Sequence, residues 1–426
     1  MSDACKAPSE WRDGTSTSRY PLGATTLIPA LAAGRAFRRD PLAFLVKRGQ
    51  GAPVFRFKTS FTEYVLINDP ALIRRVLLDD ASSFGEGKWT QRGFYVMGDC
   101  LITREGAPHR ERRSQIQPAF ARPEFEAALP AMVETAERLD ARWTDGRVLR
   151  LQPEMAHAAL VASARSLFEE DLEAEADELC AALRVMLWAI SRLPIPRPQL
   201  VSARARLRKA ARRLARSEFA EKLREVGADE TAVIDEIVSL LIASVDTTPG
   251  TLTWFWYELA RNPQVETRLH AELADVLGGR TPTVDDIAHL VFMKHVISET
   301  LRLHPPVHFI DRRALKDVQL GDITTVRAGE YILLSPLLTQ RDARFHDEPD
   351  SFLPERWEVE LVDPIRRFTY FPFGAGPHVC IGMGLAVQEI SLFVAILAQR
   401  WRLRATDSRE PGLYPSQLQM RVEARA

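Results

Sequence analysis

Phe371-Pro-Phe-Gly-Ala-Gly-Pro-His-Val-Cys-Ile-Gly-Met-Gly384 is the stretch on which the reading of this chain turns. Glycines at 374, 376, 382 and 384 flank one cysteine, Cys380. Glycine lets a backbone take positive φ and approach a flat ligand closely. An apolar helix is predicted from Cys380 to about Arg400, which places the sulfur near a helix N-terminus. Free N–H groups and the helix dipole favour a thiolate there. A single cysteine in a Gly-rich turn is more often an inert buried side chain, so the loop needs support from elsewhere in the sequence.

A thiolate so placed is a soft ligand for haem iron, to which it pushes electron density. Phe373 to Gly382 reads Phe, two residues, Gly, one residue, His, one residue, Cys, one residue, Gly. This resembles the haem-binding signature of the cytochrome P450 family, with His378 where arginine is the commoner choice. Three further stretches resemble elements of that family, in the family's order. Glu299-Thr-Leu-Arg302 lies on a predicted helix, Val291–His304, where residues three apart share a face and can pair. Alone, such a pair reads as a surface ion pair of little worth. Together with Phe352-Leu-Pro-Glu-Arg356-Trp, the resemblance implies a buried structural triad of Glu299, Arg302 and Arg356.

Ala243-Ser-Val-Asp-Thr-Thr248 resembles the oxygen-activating motif. The resemblance implies that Asp246 and Thr247 form an acid–alcohol pair that positions water for proton delivery, with Ala243 against the haem. A helical threonine otherwise bonds back to its own backbone. Ser244 departs from the usual glycine, and Pro249 should open or kink the helix. In Gly106-Ala-Pro-His109-Arg-Glu-Arg-Arg113, His109 and Arg113 share a helical face. The resemblance implies that they bind the haem propionates, with Arg312 (Arg313 its rival) and His378 completing the clamp, and that Phe373 and Gly382 also contact the cofactor. Arg110 and Arg112 read as a solvated face.

Composition agrees with such an enzyme. The 426 residues carry net charge −1, which gives no case for nucleic acid binding. Cys5, Cys100, Cys180 and Cys380 lie too far apart for a disulfide framework or a metal cluster, so a reducing, cytoplasmic setting is expected. No apolar run reads as long enough to span a bilayer, and the first twenty residues lack the apolar core of a signal peptide. Residues 1–39 are expected to be a leader, poorly ordered at its start, and 40–426 a single domain.

The pattern is mainly α with a smaller β portion, which the resemblance implies to be the cytochrome P450 fold. Strands are predicted at Val54–Lys58 and Glu63–Asn68, and a helix from Asp69-Pro70. Ser83–Cys100 reads as a long loop, and Gly106 to about Arg224 as mostly helical, broken at Pro118, Pro123 and Leu193–Pro198. Thr231–Arg261 reads as one long helix ended by Asn262-Pro263.

The resemblance implies haem b, O2, and electrons from NAD(P)H through a separate ferredoxin and ferredoxin reductase. Arg110 and Arg112 are candidates to attract the acidic donor. By the same analogy Ile242, Ala243, Val307, His308, Phe309 and Ile310 line a pocket for a small apolar substrate, such as a terpenoid or polyketide of bacterial specialised metabolism. The basic segment Val201–Arg216 reads as a solvated helix face, or as a dock for an acidic carrier protein. The leading expectation is a monooxygenase. The alternatives are oxidative coupling, desaturation or rearrangement without net oxygen insertion, and a non-catalytic haem or ligand-binding protein.

Overall fold

The computed structural model describes residues 30–49, 51–59, 62–121, 126–191, 197–358, 365–407 and 415–425. Its axis is the helix Glu230–Arg261, of 32 residues. Asp229 starts it by accepting the Ala232 N–H at 2.8 Å, the expected use of a side chain at a helix N-cap. Pro249 leaves it one continuous helix. Nearby, the Thr251 and Thr253 hydroxyls donate to the carbonyls of Thr247 and Pro249.

Two hydrophobic cores share this helix. Val233–Val245 pack with the helices Leu151–Phe168, Ala176–Ser191, Arg197–Leu214 and Glu218–Glu225. Leu252–Leu259 pack with Leu129–Arg142, Val291–Leu303 and Met383–Arg400. The cavity described below lies along the middle of the central helix, between these two halves.

The β portion is a five-stranded sheet in the order Val54–Lys58, Glu63–Ile67, Tyr331–Leu334, Ile310–Ala314, Phe84–Glu86, with smaller three- and two-stranded sheets. Its pairs are antiparallel except Glu63–Ile67 with Tyr331–Leu334. Ile310–Ala314 thereby sits inside the sheet and carries Asp311 and Arg312 to the cavity wall.

Four expectations are corrected. Ser83–Cys100 is not a long loop: it holds the strand Phe84–Glu86 and the helix Lys88–Met97. That helix starts against Asp311, whose carboxylate accepts the Trp89 N–H at 2.9 Å from 222 positions away, beyond the reach of local sequence. Folded structure starts before Asp40, with a helix at Ala30–Arg39 whose Ala33 and Phe37 are buried in an aromatic cluster with Phe44, Phe55, Phe57 and Tyr64. The last helix begins at Met383 rather than Cys380, after a turn at Gly382. That same helix, 18 residues long, is apolar enough to cross a membrane by length and composition, contrary to the sequence reading. Its residues Glu389–Ala398 are buried in the protein core. The expected break at Pro123, residues 193–196 of the break expected at Leu193–Pro198, and the start of the leader fall outside the described residues, while Arg197 and Pro198 begin the helix Arg197–Leu214.

Candidate active site

The Cys380 loop is held from three sides. The Cys380 N–H donates to the Phe373 carbonyl at 2.9 Å and the Val379 N–H to that of Gly376 at 3.1 Å. Arg113 Nη1 donates to the Val379 carbonyl at 2.7 Å. Gly376 has φ +69°, and a Cβ there would lie 1.8 Å from the Leu77 carbonyl oxygen, so only glycine fits. The thiol faces a cavity of about 430 Å³. Burial pushes its pKa above the ordinary value, while the Gly382 N–H and the Arg113 charge pull it back. An adjacent metal cation would complete that shift toward thiolate.

Across the cavity stand Ala243, Ser244, Thr247, Thr248 and Thr251 of the central helix. Thr247 donates its hydroxyl to the Ala243 carbonyl at 2.8 Å, and Ser244 to that of Leu241 at 3.1 Å. Asp246 is not on the wall. One residue along a helix turns the side chain by about 100°, and it lies toward Leu151–Phe168, with Gln152 Nε2 at 3.5 Å from Oδ1. Burial raises its pKa. The expected acid–alcohol pair is therefore split, with only the alcohol at the cavity.

Val307, Phe309 and Ile310 also line the cavity, whereas two predicted lining residues do not. Ile242 is buried in the helical core on the opposite helix face. His308, between Val307 and Phe309, is buried off the wall, and burial pushes its pKa down to about 4.

One end of the cavity is polar. His109, Arg113, Arg312 and His378 meet there. The rings of His109 and His378 stack at 3.9 Å, and burial pushes the His109 pKa down to about 4. Arg312 lines the cavity and its rival Arg313 does not. Arg112 is not solvated: it is 3% exposed, with Nε 3.7 Å from Glu236, because its face of the helix Gly106–Ile116 turns inward. Arg110 is exposed.

Glu299 and Arg302 are both fully buried and doubly hydrogen-bonded, at 2.8 Å for each contact. Arg356 Nε donates to Glu299 at 3.0 Å, joined by the Leu353 N–H and the Trp357 indole N–H, each at 2.9 Å. Arg302 also donates to the carbonyls of Gln340, Pro349 and Ser351. One carboxylate thus ties the helix Val291–Leu303 to the segment that leads into the cysteine loop.

Sequence reasoning missed four carboxylates on the cavity wall, Glu86, Glu236, Asp311 and Glu389. Glu389 is buried with Oε1 unpartnered, and burial pushes its pKa up to about 8. The available signal was a lone acid in the apolar run Met383–Leu397. The sign of its effect on stability is fixed. A carboxyl that keeps its proton in the folded state to about pH 8, but loses it near 4.5 when unfolded, makes stability fall between those pH values. Glu389→Gln should flatten that part of the stability–pH profile; thermal midpoints from pH 5 to 8 with the same slope in both proteins would contradict this.

The donor set fits a haem. Among the described residues no cluster of three His, Cys, Asp or Glu could hold a bare metal ion. A lone sulfur suits a metal whose other ligands come from a macrocycle, and an apolar slot with cations at one end suits a porphyrin bearing two carboxylates. Cys380 would hold the iron, and His109, Arg113, Arg312 and His378 the carboxylates.

The comparisons agree. The cytochrome P450 family model matches residues 41–225 and 212–422. The chain is 33% identical over 430 residues to cyclooctat-9-en-7-ol 5-monooxygenase of Streptomyces melanosporofaciens, covering 93% of this chain and 91% of that one. It is 30% identical over 428 residues to cyclooctatin synthase of the same organism, with coverage of 93% and 91%. It is 28% identical over 437 residues to pentalenene oxygenase of Streptomyces avermitilis, with coverage of 93% and 96%. The chain belongs to the cytochrome P450 family. It is a haem-dependent monooxygenase of specialised metabolism that takes electrons from a redox partner.

Proposed function

We propose that this P450 inserts one oxygen atom into a polycyclic, terpene-derived substrate. The observation that carries the reading is the apolar wall of Val307, Phe309 and Ile310 beside Thr247, in the cavity that haem and substrate would share. The cavity's His and Arg groups gather at one end, away from the apolar wall of Val307, Phe309 and Ile310, so a hydrocarbon skeleton is held there by burial and oriented by shape. The names of the relatives, two cyclooctatin enzymes and a pentalenene oxygenase, point to the same substrate class.

The bound haem, which we take to be haem b, supplies oxygen activation. The protein's part is to hold the cofactor, exclude bulk water and place protons. Thr247 stands on the wall with a hydroxyl that can turn from the Ala243 carbonyl to a water. With Asp246 turned away, the cavity-facing acid Glu389, protonated at neutral pH, is a second source of protons. Electrons come from NAD(P)H through a ferredoxin and its reductase, and exposed Arg110 is a candidate contact for the acidic donor.

Residues 40–426 act as one catalytic domain, to which the helix Ala30–Arg39 adds, in a cytoplasmic setting. The helix Arg197–Leu214 and the turn after it expose Arg204, Arg206, Lys209, Arg212 and Arg216. This face suits an acidic partner such as a carrier protein. Arg208 and Arg213 do not belong to it, being paired with Asp235 and Glu175.

Turnover under labelled oxygen tests the reading. One labelled atom in the product is expected, and Thr247→Ala should lower the yield of product per reducing equivalent by about a hundredfold, the lower end of the usual range for general-acid assistance. An unlabelled, desaturated or coupled product would overturn oxygen insertion.

A further inference from the structure

The polar end of the cavity holds a feature that haem binding alone does not require. Glu86, 4% exposed, bridges His378 and Arg312 there. One carboxylate oxygen lies 3.0 Å from His378 Nδ1 and the other 3.2 Å from Arg312 Nη1. Side chains that await a ligand's carboxylates need no anion of the protein's own. A carboxylate already bridging them adds a negative charge where two more will arrive.

The backbone fixes Glu86 firmly. It ends the strand Phe84–Glu86, in register with Arg312 across the sheet. Its N–H donates to Glu105 at 3.0 Å, and its carbonyl accepts from Gln91 of the helix Lys88–Met97 at 3.0 Å. The neighbouring carboxyl Asp311 serves another purpose, receiving the Trp89 N–H. Arg113 is tied to the Val379 carbonyl, and His109 stacks on His378. Glu86 is therefore a side chain that links Arg312 to His378, while Arg312 Nη1 also donates to the Asp311 carbonyl at 2.9 Å.

We propose that Glu86 is a positioning residue of the haem pocket, which orients Arg312 and His378 toward the haem carboxylates and adds a fixed negative charge that lowers the reduction potential of the iron. This rests on the assignment of the cavity as the haem site and is independent of the substrate. Hydrogen bonds to His378 and Arg312 hold Glu86 as the carboxylate against the opposing effect of burial, so the charge is present at neutral pH. A buried charge in the lining of the haem cavity acts through a low dielectric, and its removal should favour the ferrous form by roughly tenfold. For one electron that is about 59 mV.

The test is an equilibrium redox titration of substrate-free holoenzyme, wild type against Glu86→Gln and Glu86→Asp, with the rate of haem transfer to apomyoglobin measured on each. Removing the counter-charge of buried Arg312 can cost folding, so the charge-preserving variant is measured in parallel. Glu86→Gln should raise the potential by the amount above and release haem several-fold faster. Glu86→Asp should stay near wild type in potential. A Glu86→Gln potential equal to wild type, or an equal rise in both variants, would overturn the proposal. If Glu86→Gln holds no haem, a wild-type-like potential in Glu86→Asp supports the proposal and a raised one overturns it. Haem that fails to bind the wild-type chain through Cys380 would overturn the site assignment itself.

Discussion

Glu299→Gln is expected to prevent the folded haem protein from accumulating. The substitution keeps the shape but removes the charge that Arg302 and Arg356 share. Arg302 is fully buried, so its guanidinium would be left without a counter-charge. Breaking a buried ion pair from one side typically costs about 3–5 kcal/mol. Total stability is roughly 5–15 kcal/mol. The loss also loosens the Leu353 and Trp357 contacts that hold the segment before the cysteine loop. Pigment yield and the denaturation midpoint check this. A variant with both at wild-type values would show that the network carries little.

Cys380→Ser should lower turnover at least a hundredfold, even where the variant retains haem. Serine is nearly the same size, so the backbone N–H bonds to the Phe373 and Gly376 carbonyls, and the Arg113 bond to the Val379 carbonyl, can persist. What is lost is the soft, electron-donating sulfur that favours O–O cleavage. Product formation per unit of bound haem separates lost chemistry from lost cofactor. Turnover within a few-fold of wild type would remove sulfur from the mechanism.

The parts of the site that were legible in the sequence are those specified locally. The glycines around Cys380 encode a backbone path, and one of them, Gly376, has no room for a Cβ. Glu299 and Arg302 share a helical turn, so their pairing could be read directly, while Arg356 needed the resemblance to bring it in. Thr247 and Arg312 stand on the cavity wall where they were expected.

What was misread depends on which way a side chain turns once distant segments pack. Lys88–Met97 looked like a loop because its Gly and aromatic content hides a helix whose N-terminal partner is Asp311. Arg112 and Arg110 look alike in sequence, yet one faces Glu236 and the other solvent. Asp246 and Ile242 each sit one position from a cavity residue, and that single step turns both away. Glu86 drew no attention because its partners lie 226 and more positions further on, joined only by the sheet register.

The most direct test of the whole account is the absorption spectrum of the purified holoprotein, reduced and exposed to carbon monoxide. A Soret band at the long-wavelength position of thiolate-ligated haem is predicted. A stable native protein showing the shorter-wavelength band of imidazole-ligated haem, unchanged in Cys380→Ala, would contradict it.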